Sequence, residues 1–462
     1  MAEKLEAQGR TPKSEPEARA KDFSQVVSRA LVEIEPSEER RTFLLAKITE
    51  AQSDNKLSKL TEAGALVEAL DKLVQNIRVK AARERCLHIL SKVCQEKVIL
   101  PESYKISDIS SREKRKTGGT AEIWAGKLGQ RDVCIKVFRQ QDTPKQQIFK
   151  GMVYYHAVRW KHLSHENVLP FLGVSEAVSP FGLVSPWMPK SNILEYIEDN
   201  QDAERLPLLA DAACGLKYLH SEDIVHGGIN PRNILITGEG KACIGDFGIA
   251  GMITDPVITR QASATAVRRG IARYMAPEQV SPKKVGMPNS DAVKASDVYS
   301  FAMTAYRVLT GIEPYAGTTG EGQLGIAIVG NKRPPRPGNA VAVSRWLPDT
   351  IWEMLESCWV QQPQSRYSVE KVYQVLQDSI GHSSISKHER PAKSDPQQTQ
   401  MTRGTDNPKP LVARKIDARN SPVVAESDPP KSPVVTPPAK GGFFGSIRRL
   451  VCGCCSSSSI EQ

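Results

Sequence analysis

The sequence predicts an α+β fold of two lobes, strand-rich then helical, with an all-helical module in front and a disordered tail behind. Three observations predict it. Short apolar runs of strand character, "AEIWAGKL", "DVCIKVFR" and "FGLVSPWM", cluster in one stretch of the chain. After "NILEYIEDN" the chain turns mostly helical, up to about Ile380. From Phe23 to about Ser107 the pattern is helical with no strand signal. Two such lobes leave a cleft between them, where a ligand is expected.

Composition bounds the class. A chain of 462 residues exceeds a single core of ordinary size. Its 40% hydrophobic and 25% charged residues are those of a globular protein. Nine cysteines, scattered except for one cluster, form no disulfide framework. Cys86, Cys94, Cys134, Cys214, Cys243 and Cys358 sit in apolar or helical surroundings and read as core residues of a reducing compartment. The opening "MAEKLEAQGRTPKSEPEARAK" has no apolar stretch of secretory type. No apolar run approaches the ~20 residues that span a bilayer, so a cytoplasmic protein is expected. The net charge of +10 suits an anionic membrane surface; nucleic acid is not expected as a partner.

The elements follow in order. Residues 1–21 are polar and expected to lack order. Residues 22–105 form the helical module of three or four helices. In "PSEERRTFLLAKITEAQ", Pro36 and Ser37 give a helix start. "KLSKLTEAGALVEALDKLVQNI" puts Leu57, Leu60, Val67, Leu70, Val74 and Ile77 near one face, with Gly64 weakening it. "VKAARERCLHILSKVCQEK" adds Cys86, Ile89, Leu90 and Val93. A packing role and a partner-binding role both stay open for this module. Residues 106–380 are the bilobal domain, with one helix-like segment, "KQQIFKGMVYYHAVRWKHL", among its strands. Residues 381–440, rich in Pro, Ser, Lys and Asp, read as a disordered linker. Residues 441–462 are a basic, cysteine-rich tail.

The landmarks of the bilobal domain come in a fixed order. They are "VCIK" with Lys136, "HENVLPFLGV", "HGGINPRN" from His226 to Asn233, "DFG" from Asp246 to Gly248 and "APE" from Ala276 to Glu278. "SDVYSFAMTAYRVLTGIEPY" and "CWVQQPQSRYSV", with Arg366, follow. This order resembles the protein kinase family, nearest in character to its tyrosine-kinase-like serine/threonine branch. The resemblance implies a protein-kinase-like fold between Gly118 and Arg366. It implies ATP and Mg²⁺ as ligands, and a pairing of Arg366 with Glu278.

Phosphoryl transfer needs a phosphate-covering loop, a lysine held by a glutamate, metal ligands and an aspartate that accepts the substrate's proton. The three glycine positions of the loop hold Lys116, Gly118 and Ala121. The resemblance assigns Lys136 to the nucleotide phosphates. From Thr143 to His165 there is no Asp or Glu, and counting back from Trp160 suggests His156 at the glutamate position. Asn233 and Asp246 stand where the family holds magnesium, and oxygen ligands suit that ion. Ile123 and Cys134 would cover the adenine ring, Leu235 would floor it and Met188 would lie in the hinge; all four are equally explained as packing between lobes.

The base is missing. Gly228 stands at the aspartate position and Gly227 at the arginine before it. A general base contributes about 10²–10⁴ in rate, or roughly 3–5.5 kcal/mol of barrier. Asn230 replaces the lysine and Ile271 the threonine that serve that aspartate. His226 remains, without a base to support. Loss of a mutually dependent set predicts a pseudokinase acting as a signalling scaffold or allosteric partner of signalling proteins. The alternative is an active serine/threonine kinase with an unusual catalytic loop.

"KGGFFGSIRRLVCGCC" puts Phe443, Phe444, Ile447, Leu450 and Val451 on one helical face, with Arg448 and Arg449 off it. Such a face can lie on an anionic leaflet. Cys452, Cys454 and Cys455 follow as candidates for palmitoylation, predicting peripheral attachment at the inner membrane surface.

Overall fold

Helices open the chain because apolar residues recur every three or four positions. A computed structural model describes residues 15–52, 62–117, 121–138, 145–178, 181–246, 270–286, 293–318, 320–338 and 346–388. The described residues fall within one compact unit, Met1–Ala392. Leu57, Leu60, Gly118 and the tail residues Phe443, Phe444, Arg448, Arg449, Cys452, Cys454 and Cys455 lie outside the described residues.

Helix α1 (Glu15–Ile34) begins inside the stretch expected to lack order. It buries Phe23, Val27, Ala30 and Leu31, and Arg85 lies over the Phe23 ring. Helix α2 (Glu38–Ala51) starts as expected: the Ser37 hydroxyl accepts from the Arg40 N–H, with Glu38 and Glu39 in the first turn. Helix α3 (Ala63–Asn76) buries Val67, Leu70 and Val74, and Ile77 is buried just past its end. Helix α4 (Lys80–Lys97) buries Cys86, Ile89, Leu90, Val93 and Cys94 on one face. A 3₁₀ turn, Glu102–Tyr104, then leads into the sheet.

The small lobe is a five-stranded antiparallel sheet ordered β1-β2-β3-β5-β4. Its strands are β1 (Ile109–Thr117), β2 (Ala121–Leu128), β3 (Arg131–Phe138), β4 (Gly173–Ser175) and β5 (Gly182–Pro186). Strand β1 carries no apolar signal. Eight of its nine residues are exposed, and only its pairing with β2 makes it a strand. Helix α5 (Lys145–Lys161) is the expected helix within this lobe.

The large lobe contains α6 (Ile193–Asp199), α7 (Arg205–Ser221), the hairpin β6 (Ile234–Ile236) and β7 (Ala242–Ile244), α8 (Pro277–Val280), α9 (Lys294–Thr310), α10 (Glu321–Val329), α11 (Asp349–Cys358) and α12 (Val369–His388). Helix α12 runs beyond Ile380, where the linker was expected to begin. Thirteen residues of α9 are buried, because it passes through the lobe rather than over it. The helices α1 to α4, α5 and the large lobe share one hydrophobic core. Cys86, Cys94, Cys243 and Cys358 are buried free thiols in it, as expected.

Candidate nucleotide-binding site

The sheet and the hairpin place the cleft residues. In the β2/β3 register Ile123 faces Lys136, and Cys134 lies two residues from Lys136 on the same strand face. Ile123, Cys134, Met188 and Leu235 are all half-buried, the exposure of residues that line a cleft. Burial pushes the Cys134 thiol up to about 12, with the charge of Asp246 adding to it. A thiol held protonated in this way is a small apolar group and not a nucleophile. Asn233 ends one side of the β6/β7 hairpin and Asp246 follows the other; Gly245 N–H bonds back to Asn233 O at 2.9 Å.

Lys136 Nζ lies 2.6 Å from Asp246 Oδ2, with both side chains partly exposed. With no acid on α5, the lysine takes the nearest carboxylate in the cleft. Asp246 holds a left-handed backbone (φ 62), which costs a non-glycine residue roughly 1–3 kcal/mol. At the position counted for the glutamate, burial pushes His156 down to about 4, and Arg159 adds to the shift. A neutral imidazole there is no counter-ion for a lysine.

The loop "HGGINPRN" is held by its own groups and by α9. Asp297, near the start of α9, accepts from the backbone N–H of His226 and of Gly227, each at 2.8 Å, and from His220 Nε2 at 2.9 Å. His226 Nε2 donates to Gly245 O at 3.0 Å, and its Nδ1 accepts from Gly228 N–H at 3.2 Å. Burial lowers the His226 pKa, so the imidazole stays neutral. Asn230 donates to Gly228 O at 3.0 Å and accepts from Arg232 N–H at 3.0 Å. Asn233 Nδ2 donates to the same Gly228 carbonyl at 2.9 Å. Ile271 is half-buried and apolar, and offers this loop no polar group. Gly227 sits at φ 73, where a side chain would be strained.

The structure thus brings Lys136 and Asp246 together, and with them Asn233 at the hairpin base. The amide oxygen of Asn233 and the carboxylate of Asp246 are oxygen donors of the kind Mg²⁺ takes. The half-buried apolar residues and the lysine are of the types that a nucleotide's ring and phosphates take. Lys136 would meet its phosphates, and Asn233 and Asp246 would hold the ion that neutralises them. Sequence reading missed Asp297, which anchors the loop backbone from α9. The available signal was the one acid of a helix that is otherwise largely buried.

Residues 111–376 match the sequence profile described as protein tyrosine and serine/threonine kinase. The dual specificity protein kinase shkC of Dictyostelium discoideum is 25% identical over 62% of this chain and 54% of its own length. The tyrosine-protein kinase ABL2 of Mus musculus is 24% identical over 61% of this chain and 22% of its own. The serine/threonine/tyrosine-protein kinase HT1 of Arabidopsis thaliana is 24% identical over 59% of this chain and 66% of its own. The chain thus spans about half of the first of these relatives and less of the second.

Proposed function

The chain belongs to the protein tyrosine and serine/threonine kinase family, and from that premise we propose that it is a pseudokinase: a signalling scaffold or allosteric partner whose cleft takes ATP and Mg²⁺ without transferring the phosphate. One observation carries this reading. Asn230 and His226 are spent inside the loop: Asn230 bonds at both ends and His226 bridges Gly228 and Gly245, while Asn233 gives only its amide N–H, to Gly228 O. None is a carboxylate that could take a substrate hydroxyl's proton.

Retained binding rests on Lys136, Asp246 and Asn233. A ligand that binds only the folded state at about 100 times its Kd stabilises it by about 2.7 kcal/mol. Mg-ATP is therefore expected to raise the melting temperature of the full chain, and Lys136→Ala to abolish the rise. No shift at millimolar Mg-ATP would reduce the cleft residues to a structural role.

For the tail, the same reading includes peripheral attachment to an anionic inner leaflet through Phe443, Phe444, Arg448 and Arg449, secured by acylated Cys452, Cys454 and Cys455. One acyl chain holds only marginally and two hold stably. Among the described residues no helix is long and apolar enough to cross a membrane. A fluorescent fusion of the full chain is expected at the cell periphery and in the soluble pool after Cys→Ser replacement of the three thiols. Diffuse fluorescence of the unaltered fusion rules the attachment out.

A further inference from the structure

Helix α5 offers Lys136 no carboxylate, since no acid occurs from Thr143 to His165 and Lys136 pairs with Asp246. The N-terminal helical region holds α5, alongside the Lys150–Glu176 ion pair at 2.9 Å. A Cβ added to Gly151 of α5 would lie 2.3 Å from the Gln95 carbonyl oxygen of α4. The two helices therefore meet backbone to backbone, an approach only glycine permits. Val93 and Cys94 of α4 and Val153 and Ala157 of α5 belong to the same buried core. The far end of α5 is tied by a second contact. The Tyr104 hydroxyl lies 3.0 Å from His162 Nε2, just past α5, and Asp71 of α3 accepts from Ser103 Oγ at 2.8 Å. Tyr104 is fully buried and Asp71 nearly so.

On the cleft side, Phe149 of α5 meets Phe138 edge to face at 5.4 Å. Phe138 ends β3, two residues after Lys136, and the Lys136 ammonium lies 5.8 Å from its ring. A packed path therefore runs from α4 through α5 to the lysine.

We propose that helices α1 to α4 and the turn Glu102–Tyr104 are a built-in clamp on α5, and that loosening this clamp reaches the Lys136–Asp246 pair through Phe149 and Phe138. The clamp does the positioning that an acid on α5 would otherwise do. It operates whether or not the cleft transfers phosphate. A packed core transmits such a shift because it is close-packed and resists continuous deformation.

Hydrogen exchange on the full chain tests the clamp. Glycine to alanine within a helix ordinarily stabilises it. Gly151→Ala is instead expected to speed exchange on the order of tenfold in both 80–97 and 131–138, because the added methyl overpacks the contact. Faster exchange in 80–97 with unchanged β3 would overturn the coupling, and no change in either segment would overturn the clamp. Should that variant fail to fold, Tyr104→Phe removes one hydroxyl from the joint and keeps its ring. It is expected to move the same two segments by a smaller factor, and β3 at its original rate in that variant refutes the proposal.

Discussion

Full-length protein given labelled ATP, Mg²⁺ and a general protein substrate is expected to transfer no phosphate above background. On the pseudokinase reading, Gly228 leaves the loop without its base, which alone contributes about 10²–10⁴ in rate. The surrounding groups do not replace it: Asn230 and His226 are bonded within the loop, and Ile271 is apolar. Lys136 is paired with Asp246 rather than with an acid on α5. Gly228→Asp alone is expected to leave the protein inactive, because Asn230 and Ile271 would still leave that carboxylate without its partners. Turnover by the unaltered chain that vanishes in Asp246→Ala would establish an active kinase and end the pseudokinase reading. The melting-temperature shift with Mg-ATP is read on the same preparation, so loss of transfer and loss of binding are told apart.

Arg366→Met is expected to destabilise the fold by about 3–5 kcal/mol, because it strands a buried carboxylate. Arg366 and Glu278 pair through two bonds, of 2.6 and 2.8 Å, with both side chains fully shielded from solvent. Ser296 Oγ donates to the same carboxylate at 2.8 Å, and the guanidinium also donates to the carbonyls of Val360 and Ala295. Burial by itself would raise the Glu278 pKa, but the Arg366 hydrogen bond and charge outweigh it and hold the pKa below the usual value. Denaturant unfolding should show a lower midpoint at an unchanged slope. The double variant Arg366→Met with Glu278→Leu is expected to lose less than Arg366→Met alone, since no charge is left unpaired. A single-variant loss under about 1 kcal/mol, the scale of a surface pair, would mean that the pair does not anchor the lobe.

Much of the fold was legible because side-chain periodicity is local. Strand β2 matches "AEIWAGKL" residue for residue, α5 falls within its expected segment, and Ser37 caps α2 as read. Strand β1 was not legible: "ISSREKRKT" is a charged run whose strand form comes from hydrogen bonds to β2, with almost no buried face. The short strands β6 and β7 were missed for a related reason, since three residues are too few to show a period. In the site, the identities of Gly228, Asn230 and Ile271 were legible. The contacts made there were not, because Lys136 and Asp246 lie far apart in the chain, as do Gly227 and Asp297.

The sequence by itself determined which residues stand where the family keeps its phosphate and metal groups, Lys136, Asn233 and Asp246, and that Gly228 stands at the position of its base. That is a matter of composition at marked positions, and folding cannot alter it. Only the tertiary structure decided how those groups are used. Lys136 turns to Asp246 because charge pairing acts through space at a few ångströms. Helix α5 leans on α4 because Gly151 lets two backbones touch, and a glycine in a helix reads as a weakness until its neighbour is known.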